Sequence, residues 1–178
     1  MLSPQRKEPP GRDCFLAPED FRKFLDECRG DPELYAFVWL AASTGARKGE
    51  ILPRKWTEVD MEGAAPHLCV PRTKNRRSKR LALAEEVIRA LKKLPSYRRE
   101  EYVFPADRSN VRFKGTQGYA WDMRKPFQAA CERAGIKNLR IHDLRRSSSV
   151  RRSSSSRKKS VTHLLAQGIR RGKTKARK

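Results

Sequence analysis

The chain has 178 residues, enough for one ordinary domain with a real core and a tail. Its hydrophobic fraction of 37% is low, its charged fraction of 35% is high, and its formal net charge is +22. Dense Lys and Arg neutralise phosphates and release counterions, so a polyanion is the first partner to expect. The longest apolar run, 34–42, is too short to span a bilayer, and the N-terminal MLSPQRKEPPGRD is charged and Pro-rich rather than a signal peptide. A soluble, cytoplasmic protein with no membrane partner is expected. The charge is uneven: from Arg145 to Lys178 there are 13 basic residues and no acidic one, which leaves about +9 on the preceding 144 residues. Cys14, Cys28, Cys69 and Cys131 are scattered without a C-x-x-C pair, and read as reduced, partly buried thiols rather than a disulfide frame or metal ligands.

In chain order, residues 1–13 read as a flexible lead-in rich in Pro, Gly and charge. Pro18, with Glu19 and Asp20 behind it, opens a helix carrying Phe21, Phe24, Leu25 and Cys28 at helical spacing. Asp31 caps a second helix, whose run LYAFVWLAAS stops at Gly45 and should form the buried centre. The period then changes. Trp56 to Asp60, His67 to Arg72 and Lys79 to Leu83 read as three short strands, with turns at Glu62-Gly63 and Asn75-Arg76-Arg77. Helical pattern returns in AEEVIRALKKL, and again from about Trp121 to Ala134, closed by Gly135. Between these lies a polar connector with one apolar knot at Tyr102, Val103, Phe104 and Pro105, and a last helix opens at His142. The fold class is mixed α+β, mainly α. Residues 14–146 form the domain, and 147–178 a basic tail rich in Ser, Arg and Lys whose repeat, RRSSS then RRSSSS, has nothing to bury.

Three segments stand out by content, order and spacing. The first is Thr44-Gly45-Ala46-Arg47-Lys48-Gly49-Glu50-Ile51-Leu52, followed by Trp56 and Val59-Asp60. The second is Thr73-Lys74-Asn75, in the turn between two predicted strands. The third is His142-Asp143-Leu144-Arg145-Arg146. Together they resemble the tyrosine recombinase, or phage integrase, family, in which one arginine opens a helix in T-G-x-R-x-x-E, a lysine rides a β-hairpin, and a second arginine sits in H-x-L-R. The resemblance runs from about Leu16 to Arg146. It implies a helical catalytic domain with a small three-stranded antiparallel sheet, acting on double-stranded DNA in recombination and integration of mobile DNA, with other protomers as further partners.

Cleavage of a phosphodiester by a hydroxyl builds negative charge on the non-bridging oxygens, which paired guanidiniums stabilise without a metal ion. The resemblance gives Arg47 and Arg145 that role. It makes Lys74 the proton donor to the leaving 5′ oxygen, His142 a phosphate hydrogen-bond partner or proton carrier, and Glu50 the acid that orients Arg47. Arg76, Arg77, Lys79 and Arg146 are the expected backbone contacts to DNA. No cofactor, metal or small-molecule substrate is implied.

The family pattern breaks after Arg145. The nucleophile in the family is a tyrosine that forms a 3′-phosphotyrosine link, whereas the four tyrosines here, Tyr35, Tyr97, Tyr102 and Tyr119, all precede His142. The segment 161–169 resembles the family's continuation after H-x-L-R; removing 148–159 would restore its register as HDLRRSSVTHLLAQGI. The family's preceding core-binding domain has no counterpart in the short lead-in. Two other readings follow: a non-catalytic DNA-binding remnant or regulator, and a general basic nucleic-acid-binding protein whose binding resides in the tail.

Overall fold

A computed structural model describes residues 16–71, 78–106, 118–119 and 122–145, and in it helix α1 runs from Pro18 to Cys28. Its buried face is the predicted one: Phe21, Phe24, Leu25 and Cys28. Helix α2, Pro32–Thr44, begins where the Asp31 carboxylate accepts the Leu34 backbone N–H at 2.9 Å, a side-chain N-cap. Eight of its residues are buried, Leu34 and Ala36 through Ala42. A helix apolar all round can only be satisfied by packing on every side. α2 accordingly sits at the centre, with α1, the short helix α3 (Lys48–Ile51) and α4 (Glu85–Lys92) against it. Helix α5, Arg124–Arg133, packs on α1, where Phe127 meets Phe24 edge-on at 5.1 Å between ring centroids.

The sheet has three antiparallel strands in the order β1 (Val59–Asp60), β2 (His67–Val70) and β3 (Lys79–Ala82). In β2, Leu68 and Val70 are buried and alternate with half-buried His67 and Cys69, the period-two pattern of a one-sided sheet. The β2–β3 register pairs Leu68 with Leu81 and, at the far end, Val70 with Lys79. The fold is thus mainly helical with a small antiparallel sheet. The apolar knot behaves as read: Val103 and Phe104 are buried, and the Ser96 hydroxyl donates to the Val103 carbonyl at 2.7 Å.

Two readings of the sequence change. Trp56–Glu58 is a 3-10 turn rather than part of a strand, and β1 is confined to Val59–Asp60. The Glu58 carboxylate accepts the Lys55 backbone N–H at 2.9 Å and the Arg54 guanidinium at 3.0 Å, which closes the chain into a tight turn where strand pairing would need it extended. The helix expected from Trp121 starts at Arg124, after the Asp122 carboxylate has accepted the Arg124 backbone N–H. The lead-in, the Asn75-Arg76-Arg77 turn and the basic tail lie outside the described residues.

Cys28 and Cys131 are buried free thiols and Cys69 is half-buried. Burial pushes the Cys28 thiol up to about 12 and the Cys131 thiol to about 11, so both stay protonated and unreactive. Among the described residues no helix is long and apolar enough to cross a membrane.

Candidate active site

The first motif folds as a chain of local hydrogen bonds. At the end of α2 the Thr44 hydroxyl donates to the Leu40 carbonyl at 2.6 Å and accepts the Ala46 backbone N–H at 3.2 Å. Gly45 then turns the chain with φ 68°, a left-handed conformation that costs glycine nothing, and its N–H donates to the Ala41 carbonyl. Ala46 is buried, and Arg47, extended at φ −74° and ψ 152°, stands at the N-cap of α3.

Arg47 cannot cap that helix with its own side chain, so Glu50 supplies the acceptor. One carboxylate oxygen, Oε2, takes the Arg47 backbone N–H at 3.0 Å; the other, Oε1, takes the Arg47 guanidinium at 3.4 Å. Lys79, at the start of β3, donates to the same Oε1 at 2.8 Å. The Glu50 side chain is 12% exposed, whereas that of Arg47 is 55% exposed. Burial raises the Glu50 carboxyl, but the Lys79 hydrogen bond, the Arg47 backbone N–H and the two positive charges outweigh it and hold the group below its ordinary value. A partly buried carboxylate, kept ionised by two cations, thus fixes the base of Arg47 and leaves its guanidinium half in solvent. That is the arrangement needed to present a fixed positive charge to an anion.

A second tie holds the same end of this helix. The Lys48 ammonium lies 3.7 Å from Asp122, whose carboxylate also receives the Arg124 guanidinium at 2.8 Å. Burial raises the Asp122 carboxyl, yet the Arg124 hydrogen bonds and the Lys48 charge bring it below its ordinary value. The start of α3 is therefore pinned to the lead-in of α5 by ionised groups.

The third motif is simpler. Ile141–Asp143 forms a 3-10 turn, entered where the Asp143 carboxylate accepts the Arg140 backbone N–H at 2.9 Å. Leu144 is fully buried in the same core that holds Ile51 and Leu52 of the first motif. His142 is exposed beside it, and Arg145 is half-buried. The described contacts bring Arg47, Glu50 and Lys79 together directly; His142 and Arg145 stand on a separate segment anchored to the same core. Lys74, Arg76, Arg77 and Arg146 lie outside the described residues.

Sequence reading missed three members of this arrangement. Thr44 and Asp143 act through backbone hydrogen bonds, and both could have been found as residues that favour such local bonds. The third is the pairing of Lys79 with Glu50, 29 residues apart. Nothing local signals it.

The four tyrosines are all packed against other side chains. Tyr35 meets Trp39, Tyr97 meets Trp56 at 5.2 Å between centroids, and Tyr102 meets Tyr119 at 5.7 Å while Lys55 stands over its ring.

The chain is similar to several known proteins. Over 136 residues the chain is 30% identical to the integrase of Salmonella phage P22, an alignment spanning 74% of this chain and 34% of that protein. It is 32% identical over 112 residues to a shufflon-specific DNA recombinase of Escherichia coli, spanning 63% of this chain and 25% of the other. The chain therefore spans between a quarter and about a third of the length of these relatives. Among solved structures, XerA recombinase superposes with a TM-score of 0.66 at 20% identity, covering 98% of this chain and 68% of that one, which shows a shared fold. The model of the phage integrase family matches residues 14–168. With that match covering most of its length, the chain belongs to the phage integrase family of tyrosine recombinases.

Proposed function

We propose that the chain carries the phosphate-holding half of a tyrosine recombinase site and acts on double-stranded DNA in recombination and integration of mobile DNA. The observation that carries this reading is the Arg47–Glu50–Lys79 cluster, in which a partly buried, ionised carboxylate holds an arginine half-exposed at a helix start. The P22 relative is named as an integrase and the E. coli relative as a DNA recombinase, which supports DNA as the substrate.

In this reading a hydroxyl attacks the scissile phosphorus and gives up its proton to His142 or to water; the new O–P bond forms with the phosphate still on the 3′ oxygen, the P–O5′ bond breaks, and the 5′ oxygen departs with a proton. Arg47 and Arg145 stabilise the charge on the non-bridging oxygens, and a guanidinium suits this because it is always charged and donates in a planar fork. Lys74 supplies the proton to the 5′ oxygen, and His142 hydrogen-bonds the phosphate. Arg76, Arg77 and Arg146 contact the DNA backbone. The domain proper begins near residue 14, and the family match running to residue 168 supports 161–168 as a continuation of the domain beyond the Ser/Arg repeat. The high positive charge fits a cytoplasmic protein with access to DNA.

One observation favours a second, non-cleaving role for these 178 residues. No tyrosine follows Arg145, and each of the four that precede it is engaged in a ring contact. We therefore infer that this polypeptide binds DNA without forming a covalent link by itself.

A nicked suicide duplex, from which a cleaved strand end diffuses away, separates the readings. The 178-residue polypeptide is expected to bind the duplex in a salt-sensitive manner and to form no covalent adduct. An adduct with this chain alone would overturn the non-cleaving reading, and one formed only with a second recombinase protomer would place the nucleophile in trans. Loss of all binding on deletion of 147–178 would favour a general basic tail over a site-directed interaction.

A further inference from the structure

Lys79 reads from sequence as one of several DNA contacts, and in the fold its ammonium donates to Glu50 Oε1 at 2.8 Å. The geometry around that carboxylate suggests why. An isolated glutamate beside an arginine three residues away can take the guanidinium in a bidentate pair, which neutralises it and draws it off an incoming phosphate. Here that pair does not form. Oε2 takes the backbone N–H of Arg47 at 3.0 Å, and Oε1 is shared between Lys79 at 2.8 Å and the guanidinium, which keeps a single long contact of 3.4 Å. Its side chain remains more than half exposed.

We propose that Lys79 is a positioning residue: by competing for Glu50 Oε1 it keeps the Arg47 guanidinium out of a closed ion pair and available to the scissile phosphate. Lys79 reaches Glu50 because the β2–β3 register sets it opposite Val70, at the end of the hairpin whose turn contains Lys74. Glu50 is thus the node through which that hairpin and the Arg47 helix start are held together. The proposal rests on the reading of Arg47 as a phosphate ligand and adds a residue that governs it without touching DNA.

The test measures the affinity of the 178-residue polypeptide for duplex DNA by fluorescence anisotropy at fixed salt, with Arg47→Gln made in three backgrounds. In the otherwise unchanged chain Arg47→Gln is expected to weaken binding about tenfold, the scale of one charge-assisted hydrogen bond. In a Lys79→Met background it should cost little further, because Arg47 is already closed onto Glu50. In Lys79→Met with Glu50→Gln its cost should return, since that change removes the competing charge while retaining an acceptor for the Arg47 backbone N–H. Lys79→Arg, which preserves the charged bond, should bind like the unchanged chain, and thermal melts of all variants guard against unfolding as the cause. A full cost of Arg47→Gln in the Lys79→Met background would overturn the proposal and make Lys79 a direct DNA contact. No cost of Arg47→Gln in the unchanged chain would instead overturn the reading of Arg47 itself, and this inference with it.

Discussion

The two arginines of the site stand on segments built in different ways. Arg47 is held by a lattice of short-range bonds: the Thr44 hydroxyl, the left-handed Gly45, the Glu50 carboxylate on its backbone and side chain, and Lys79 from the sheet. Arg145 follows a three-residue 3-10 turn whose described anchors are the Asp143 cap and the buried Leu144. The first region is preorganised by polar bonds that each fix a direction. The second also draws on the burial of Leu144, which fixes a position but is not directional. A site made of both can present one charge from a polar lattice while the other is carried by a segment seated on the core.

Breaking the apolar anchor should give the larger effect. Leu144→Ala removes a fully buried side chain and is expected to lower the free energy of unfolding by about 2–5 kcal/mol, read from urea denaturation. In the protein that remains folded, the Glu50 cluster should persist, because its bonds lie on other elements. If Leu144→Ala cost less than a surface substitution, the picture of Leu144 as the anchor of the second region would fail.

Disturbing the polar lattice should give a smaller and pH-dependent effect. The Glu50 carboxyl is lowered on folding from its ordinary 4.5, so its charged form stabilises the fold fully above the unfolded value. That contribution is lost as the pH falls through the folded-state value beneath it. Glu50→Gln is expected to cost about 1.5 kcal/mol at neutral pH, the scale of a hydrogen bond to a charged group. Its acid-denaturation profile should also lack the Glu50 component, while that of Asp122, lowered likewise, remains. Parallel profiles for the two proteins would show that Glu50 is not differentially ionised on folding.

The same contrast explains what could be read in advance. The helix from Pro32, its Asp31 cap and its stop at Gly45 were legible because each depends on neighbours within one turn. So was the apolar knot at Val103 and Phe104. Trp56 misled because a short run with aromatic and β-branched residues (Trp56, Thr57, Val59) resembles a strand, whereas Glu58 capping the Lys55 amide closes a 3-10 turn at the same residues. For the proposed site, Arg47, Glu50, His142 and Arg145 were picked out by motifs whose spacing is local. The partnership of Lys79 with Glu50 was not, since it exists only once the β2–β3 register has brought the start of β3 to α3. Sequence spacing carries the bonds made within a helix turn; those made between elements emerge with the fold.

The central claim is that these two unlike regions serve one phosphate, and a double-mutant cycle on duplex DNA affinity tests it most directly. Arg47→Gln, Arg145→Gln and the double variant are compared under identical salt, with thermal melts confirming that each is folded. Groups that share one phosphate are expected to couple, so the loss in the double variant should differ from the sum of the single losses by at least about 0.5 kcal/mol. Additive losses within a few tenths of a kcal/mol would mean that Arg47 and Arg145 touch DNA independently, and would contradict a shared site.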